Sequence, residues 1–468
     1  MVIQNETKTP VRVALFLRNR QLVRSWIDSG LVNTLIRSGD VSITVYTTSD
    51  LLDRLHQDVD YEIVDLGIPT SSKKSLHQLG IGYAVSRRNS ESFKFLLLRK
   101  FLPETRFFCQ TKSFLLRFVW LLAAMRMLLR NTWNNRIHIV YLIPPLRKVL
   151  QTRLWFSREK QLLHPTIAAG NFEWLLIPAD SASGYITDWI IGAREIGLKT
   201  LLAIDNWDHL TAKAIYIERP DFITVMGTRC VEHAINIHKF KPEQVLPFGL
   251  PRFDFYKSSL KTLPKLSHDL PKRILYCGVS LAHSEIEIVN YLAQYFAANL
   301  ESGALQIEYR PHPGPHKRFN HSPPLDPRVK KTIHGDLSRT SMPDMNQEFL
   351  HSLTSAQVVI GPPTTIILEA MLIGRPCILD LTDDGYHRAT AAISARRLTH
   401  ILDLKYISNL PVANTVDQLT FQVEQLLGSN VALSQNELSY LCDLSKPLYS
   451  TQLANLLTAY QSRHPKTN

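Results

Sequence analysis

The stretch "AQVVIGPPTTIILEAMLIGRPCILDL", residues 356–381, changes character twice. It opens as a short apolar run, breaks at two prolines and two threonines, continues as an apolar helical pattern, and returns to a second apolar run. Short apolar runs on either side of a helix are the pattern of two buried parallel strands joined by a crossover. The same alternation extends in both directions. Upstream, "RILYCGVS" (273–280) reads as a strand, followed by a helix to about Asn299, a strand "LQIEYR" (305–310), and a helix near 347–353. Downstream, helical patterns near 415–427 and 452–460 close the chain. The spacing predicts a doubly wound α/β domain over 273–468.

A second domain is expected before it, since 468 residues exceed what one core accommodates. "VRVALFL" (11–17), "VSITVYT" (41–47) and "YEIVDLG" (61–67) read as strands, with a helical pattern from the first through about Ile36. The sheet resumes with "FEWLLIPAD" (172–180), a helix near 184–197, "LKTLLAIDNWD" (198–208), "DFITVMG" (221–227) and "EQVLPFGLPRFDFY" (243–256). This gives a domain over 1–256, a polar Lys/Pro/Ser-rich linker over 257–272, and the second domain after it. The expected architecture is α/β, two Rossmann-like doubly wound domains facing a cleft. The turn after the first strand reads "RNRQLV", so the glycine-rich dinucleotide fingerprint is missing and a nicotinamide or flavin cofactor loses its main support.

Composition narrows the class. With 45% hydrophobic and 20% charged residues the chain is globular. The first ten residues, "MVIQNETKTP", lack a basic then apolar signal pattern. The five cysteines (Cys109, Cys230, Cys277, Cys377, Cys442) form no CxxC pair, which disfavours a disulfide framework and structural zinc and points to the cytoplasm. The net charge of +12 is concentrated: residues 86–160 hold sixteen lysines and arginines against three glutamates, and the rest is nearly neutral. No nucleic-acid module accompanies this charge, so a nucleic-acid partner is not expected. Within it, "SFLLRFVWLLAAMRMLL" (113–129) is the most apolar window, but it is short for a span and includes Arg117 and Arg126. Two readings remain: an amphipathic helix lying on an anionic membrane, or a basic insertion internal to the first domain.

In open parallel sheets ligands bind beyond the carboxyl ends of the strands. Sorted by that rule, four groups fall on one edge of the second sheet: Ser280 and His283; Arg310 and His312; Pro362, Pro363, Thr364 and Thr365; and Asp383, Asp384 and His387. The unpaired N–H groups and dipole of a helix start favour an anion in front of them, and the threonine hydroxyls add donors. A guanidinium and an imidazole from "RPHPGP" would complete a diphosphate site. Glu369, one turn beyond Thr365, is placed to reach a ribose hydroxyl. His316 and Lys317 stay unassigned. In the first domain, Asp205, Asp208 and His209 cluster at a strand's carboxyl end and are the candidate bases toward an acceptor hydroxyl. Arg252 is assigned to the donor phosphates, and Asp254 to anchoring its turn.

"IEYRPHPGP", "VVIGPPTTIILEAMLIGRPCILD", "FGLPRFDFY" and "AIDNWDHLTAK" together resemble the bacterial surface-polysaccharide glycosyltransferases of the two-Rossmann (GT-B) type, over roughly 172–384. Related patterns occur in CDP-glycerol glycerophosphotransferases, the UDP-N-acetylglucosamine 2-epimerase-like group, and His-Pro-motif sialyl- and Kdo-transferases. The resemblance implies that His312-Pro313 and Thr364-Thr365 bind the donor's phosphates and that Glu369 contacts its sugar or ribose. Two departures stand out. Pro-Pro-Thr-Thr replaces the glycine-rich helix start of the epimerase-like group, and the acidic-acidic-Gly triplet occurs only at 383–385, in the second domain. The implied activity is transfer of a sugar or polyol phosphate from a nucleotide-activated donor to a lipid-linked or glycan acceptor in surface-polysaccharide biosynthesis. It needs no metal and no cofactor beyond the nucleotide-activated co-substrate, and it is expected on the inner face of the cell membrane. The alternatives are a 2-epimerase-like enzyme and a non-catalytic, membrane-docked scaffold.

Overall fold

A computed structural model describes residues 9–55, 60–67, 90–101, 114–134, 167–179, 185–213, 216, 218–260, 271–281, 283–312, 323–332, 342–428 and 438–463. Pro313, His316, Lys317, most of the linker and the remainder of 86–160 lie outside the described residues.

The chain forms two α/β units of the Rossmann-like kind, each built on a parallel sheet. The first sheet contains β1 (Val11–Leu17), β2 (Val41–Thr47), β3 (Glu62–Asp65), β4 (Trp174–Ala179), β5 (Lys199–Ile204), β6 (Phe222–Thr224) and β7 (Val245–Leu246), in the order β3-β2-β1-β4-β5-β6-β7. The second contains β8 (Lys272–Cys277), β9 (Leu305–Arg310), β10 (Lys330–Lys331), β11 (Val358–Gly361), β12 (Cys377–Asp380) and β13 (Val412–Ala413), in the order β10-β9-β8-β11-β12-β13. All pairings are parallel, with Cys277 level with Arg310 and Ile360 level with Tyr276. Each order reverses once, at β1/β4 and at β8/β11, and a crevice at the carboxyl ends follows from that reversal.

The strands are apolar because helices cover both faces. β4, for example, is buried along its whole length. Among the described residues the helices of seven or more residues are α1 (Leu31–Arg37), α2 (Glu91–Phe101), α3 (Phe114–Asn134), α4 (Tyr185–Glu195), α5 (Thr228–Asn236), α6 (Phe253–Leu260), α7 (Glu285–Tyr295), α8 (Met342–Ser355), α9 (Thr365–Leu372), α10 (Val416–Gly428) and α11 (Tyr449–Arg463). Trp26, Trp174, Leu15 and Leu176 centre the first core; Tyr276, Ile307, Ile360 and Val423 centre the second.

Three features depart from the sequence reading. The basic segment expected as an insertion of the first domain contributes α3, which groups with the second unit. The single helix expected after β1 is a short turn, Arg20–Val23, a π-helical turn, Arg24–Asp28, and then α1. Gly30, in the left-handed region at φ 77°, separates the last two. The linear division at 257–272 assigns 449–463 to the second domain, whereas α11 packs into the first core through Tyr449, Leu453 and Leu457. Its start is held by Asp254, which accepts from Tyr449 N at 2.6 Å and Ser450 N at 2.9 Å, while Tyr449 Oη and Thr224 Oγ1 lie 2.9 Å apart. Asp254, which the sequence assigns to its own turn, thus anchors the last helix.

Leu453 is fully buried between α11 and the first sheet. Leu453→Ala is expected to destabilise the first unit by about 3 kcal/mol, as transfer plus cavity costs predict. A shift of that size in the urea unfolding midpoint, with the fold intact by circular dichroism, is the check.

Candidate functional site

The carboxyl edge of the second sheet is assembled by close backbone approach. Gly278 N donates to Arg310 O at 2.8 Å, joining the chain after β8 to the end of β9. A Cβ on Gly278 would collide with the Glu285 carboxylate and stand 2.9 Å from His312 N. On the other side of β8, a Cβ on Gly361 would stand 2.6 Å from Cys277 O. Only glycine allows the three strand ends to lie this close.

Beneath that edge is a buried polar network. Glu285, the first residue of α7 and fully buried, accepts from Val279 N at 2.7 Å and from Tyr309 Oη at 2.7 Å. Asp380, at the end of β12, accepts from Tyr276 Oη at 2.7 Å and from Thr382 N and Oγ1 at 3.0 and 2.8 Å. His283 Nε2 lies 2.9 Å from the same Asp380 carboxylate and donates to it. Burial alone would depress the His283 ring. The hydrogen bond and charge of Asp380, with Glu285 and Asp384 adding to it, outweigh that and hold its pKa above the ordinary value. Burial would likewise raise Asp380, but His283, Tyr276 and the Thr382 N–H prevail and keep it below the usual carboxylate range.

Around this network stand the residues the sequence singles out. Arg310 is buried, with its guanidinium 4.5 Å from the centre of the Phe349 ring. His312 is half-buried at the start of the following loop. Thr364 is the N-cap residue of α9 by backbone, extended at φ −139° and ψ 164°, yet its hydroxyl makes no cap bond. That hydroxyl is buried and has no hydrogen-bond partner among the described residues. Thr365 opens the helix half-buried, and Glu369 is buried one turn on. Burial pushes the Cys277 thiol up to about 12; the Arg310 charge works against that shift, while Glu308, Glu285 and Glu369 add to it. The thiol is therefore no nucleophile at neutral pH. Ser280 is exposed, and His387 Nδ1 lies 2.6 Å from Asp384 Oδ2. Among the described residues no three His, Cys, Asp or Glu side chains cluster as a metal site would.

The first unit carries its own polar cluster at the end of β5. Asp205 is buried and accepts from Gln21 Nε2 at 3.3 Å. Arg252 donates to the Asp205 backbone carbonyl, with the same nitrogen 3.9 Å from the carboxylate. Arg252 thus stands with Asp205 within the first unit. Asp208 pairs with Lys213 at 2.7 Å, and His209 is buried in the π-helical turn His209–Lys213.

Tyr276, Glu285, Tyr309 and Asp380 were missed by sequence reasoning. For Tyr276, Tyr309 and Asp380 the available signal was polarity out of place: an acid or tyrosine within otherwise apolar strands, as in "RILYC", "LQIEYR" and "PCILDL".

No family model matches the chain, and no curated protein matches it in sequence. Solved structures do. UDP-GlcNAc 2-epimerase from Neisseria meningitidis bound to UDP-GlcNAc superposes with a TM-score of 0.53 over 96% of this chain and 100% of its own, at 9% identity. S. aureus MnaA with UDP gives 0.50 over 97% of each chain, at 11% identity. A glycosyltransferase from Rickettsia africae gives 0.46 over 98% of this chain and 100% of its own, at 8% identity. The first two likenesses show the fold, two Rossmann-like α/β domains, and nothing finer.

The buried pair makes a signed prediction. A raised His283 pKa contributes stability that is full below its ordinary 6.5 and lost as pH rises through the folded value. A lowered Asp380 pKa contributes stability present above its ordinary 3.8 and lost as pH falls through the folded value. The pair therefore stabilises most between those two ordinary values. Urea midpoints measured upward from about pH 6 should fall in the wild type and fall less steeply in His283→Gln. Parallel profiles would remove His283 from the account.

Proposed function

We propose that the chain is a nucleotide-sugar-dependent transferase of the GT-B type. It would move a sugar, or a polyol phosphate, from a nucleotide-activated donor to a glycan or lipid-linked acceptor of surface-polysaccharide assembly. One observation carries the reading: Arg310 and His312, at the end of β9, and the buried, unpartnered Thr364 hydroxyl, at the start of α9, stand on strand ends that flank β8. This sets a guanidinium, an imidazole and a buried hydroxyl on one edge, where a parallel sheet binds ligands.

The chemistry follows from where charge develops. As the bond to the transferred group breaks, negative charge accumulates on the departing nucleotide's phosphate oxygens. A guanidinium, an imidazole and the N–H groups of a helix start stabilise that charge more than the ground state. Arg310, His312, Thr364 and Thr365 take this role, and Pro313 and Ser280 are assigned to the same donor-binding group. Glu369 is assigned to the donor's ribose or sugar. Asp205, Asp208 and His209 are the candidates for removing the acceptor proton, and Arg252 for a further phosphate contact. All these steps use groups of the chain itself.

The alternative is isomerisation of a UDP-sugar without any acceptor, the chemistry named for the Neisseria meningitidis neighbour. The Pro-Pro-Thr-Thr start of α9 speaks against it.

Thermal-shift titration with CMP, CDP, UDP and GDP should show one base preferred, and a stabilisation that Arg310→Ala abolishes. His312→Ala is expected to lower transfer by at least about a hundredfold while leaving the melting temperature nearly unchanged. Unaltered turnover in His312→Ala would remove the phosphate role. Conversion of UDP-N-acetylglucosamine to its epimer with no acceptor present would establish the alternative.

A further inference from the structure

α3 presents an apolar face to solvent that neither core uses. Phe114 is 86% exposed, Leu129 68% and Trp133 70%, with Phe118, Leu122 and Met125 each about half exposed. At about 100° per residue, the exposed apolar side chains of this helix cover roughly half of its circumference without a gap. Arg126 and Arg130, both exposed, lie along one edge of that face. A continuous apolar surface of this extent marks an interaction site.

Spanning is not its use: among the described residues no helix is long and apolar enough to cross a membrane. The remaining geometry is a helix lying flat, with its apolar face down. Charge identifies what it lies on. Residues 86–160 carry sixteen lysines and arginines against three glutamates, and the rest of the chain is close to neutral. Docking the face on a second copy would bring two such segments together, and like charge opposes that. An anionic lipid surface supplies opposite charge and apolar depth together. Trp133 has the amphipathic ring favoured at a headgroup boundary, and Arg126 and Arg130 can keep their guanidinium groups among phosphates while their stems lie on acyl chains.

We propose that α3 docks the protein on an anionic lipid bilayer, with the face that includes Phe118, Leu122, Leu129 and Trp133 inserted at the headgroup boundary and Arg126 and Arg130 on lipid phosphates. The inference rests on exposure and charge alone and holds whatever reaction the second sheet supports.

Flotation with vesicles tests it. The full chain is expected to float with phosphatidylcholine–phosphatidylglycerol vesicles, to float poorly with phosphatidylcholine alone, and to be released as salt is raised. The double variant Leu122→Glu/Leu129→Glu should bind more than about tenfold more weakly. Its melting temperature should match the wild type, because both side chains face solvent. Arg126→Glu/Arg130→Glu should lose the preference for anionic vesicles, giving a second readout if the first variant folds poorly. The Trp133 emission, taken as the difference from Trp133→Phe, should shift to the blue on binding. Absence of flotation, or flotation of the Leu122/Leu129 variant equal to wild type, overturns the proposal. So does a dimer in sedimentation equilibrium that the same variant dissociates while vesicles stay unbound, since the occupant would then be a second copy.

Discussion

The carboxylate of Glu285 is the constraint on which the second sheet's carboxyl edge depends. One oxygen holds the Val279 backbone N–H and the other the Tyr309 hydroxyl, so a single side chain ties the turn after β8 to the end of β9. Gly278 lies between them, with no room for a side chain, and the backbone of His312 lies against it. The start of the Arg-Pro-His-Pro loop is therefore positioned by a buried acid and a glycine before any proline acts. A fully buried carboxylate without donors would be costly, and two short hydrogen bonds from groups that are themselves buried offset that cost.

Asp380 does for the far side of the edge what Glu285 does for the near side. It collects the Tyr276 hydroxyl from β8, the His283 ring from the turn after it, and two donors from its own chain at Thr382. β8 is thus braced on both flanks by acids from other elements, and the register that sets Cys277 level with Arg310 leaves its neighbours' ends aligned. Satisfied buried networks of this kind rigidify a site, since moving any member strands the others.

The period of the sequence carried the fold a long way. Alternating apolar runs and helical stretches named nearly every strand, and residues after strand ends collected on one edge because the sheets are parallel. What stayed hidden is non-local. Nothing in "ELSYLCDLSKPLYS" says which sheet the following helix joins; Asp254 decides it, almost two hundred residues earlier in the chain. Tyr276 and Asp380 are separated by 104 positions, and no local pattern pairs them. Gly30 was visible, but a helix with an isolated glycine and a helix broken by one have the same periodicity. Thr364 was legible as a helix start; that its hydroxyl does not cap the helix is a matter of rotamer and backbone angle.

The balance of charge beneath the edge sharpens the role of Arg310. Glu285, Glu308, Glu369 and Asp380 are all buried in the second unit, as are Arg310 and His283. Four carboxylates under a site would repel an anion, so they must be answered within the protein. Asp380 is answered by His283, whose charged form it favours. Glu308 is turned toward Thr332 and Ser352, with Arg273 3.8 Å away. Glu285 accepts from two neutral donors, the Val279 N–H and the Tyr309 hydroxyl. Arg310, buried over Phe349, is a permanent cation on the same sheet edge. A lysine at 310 would carry the same charge but lack the planar face that stacks on Phe349, so charge alone does not account for the residue.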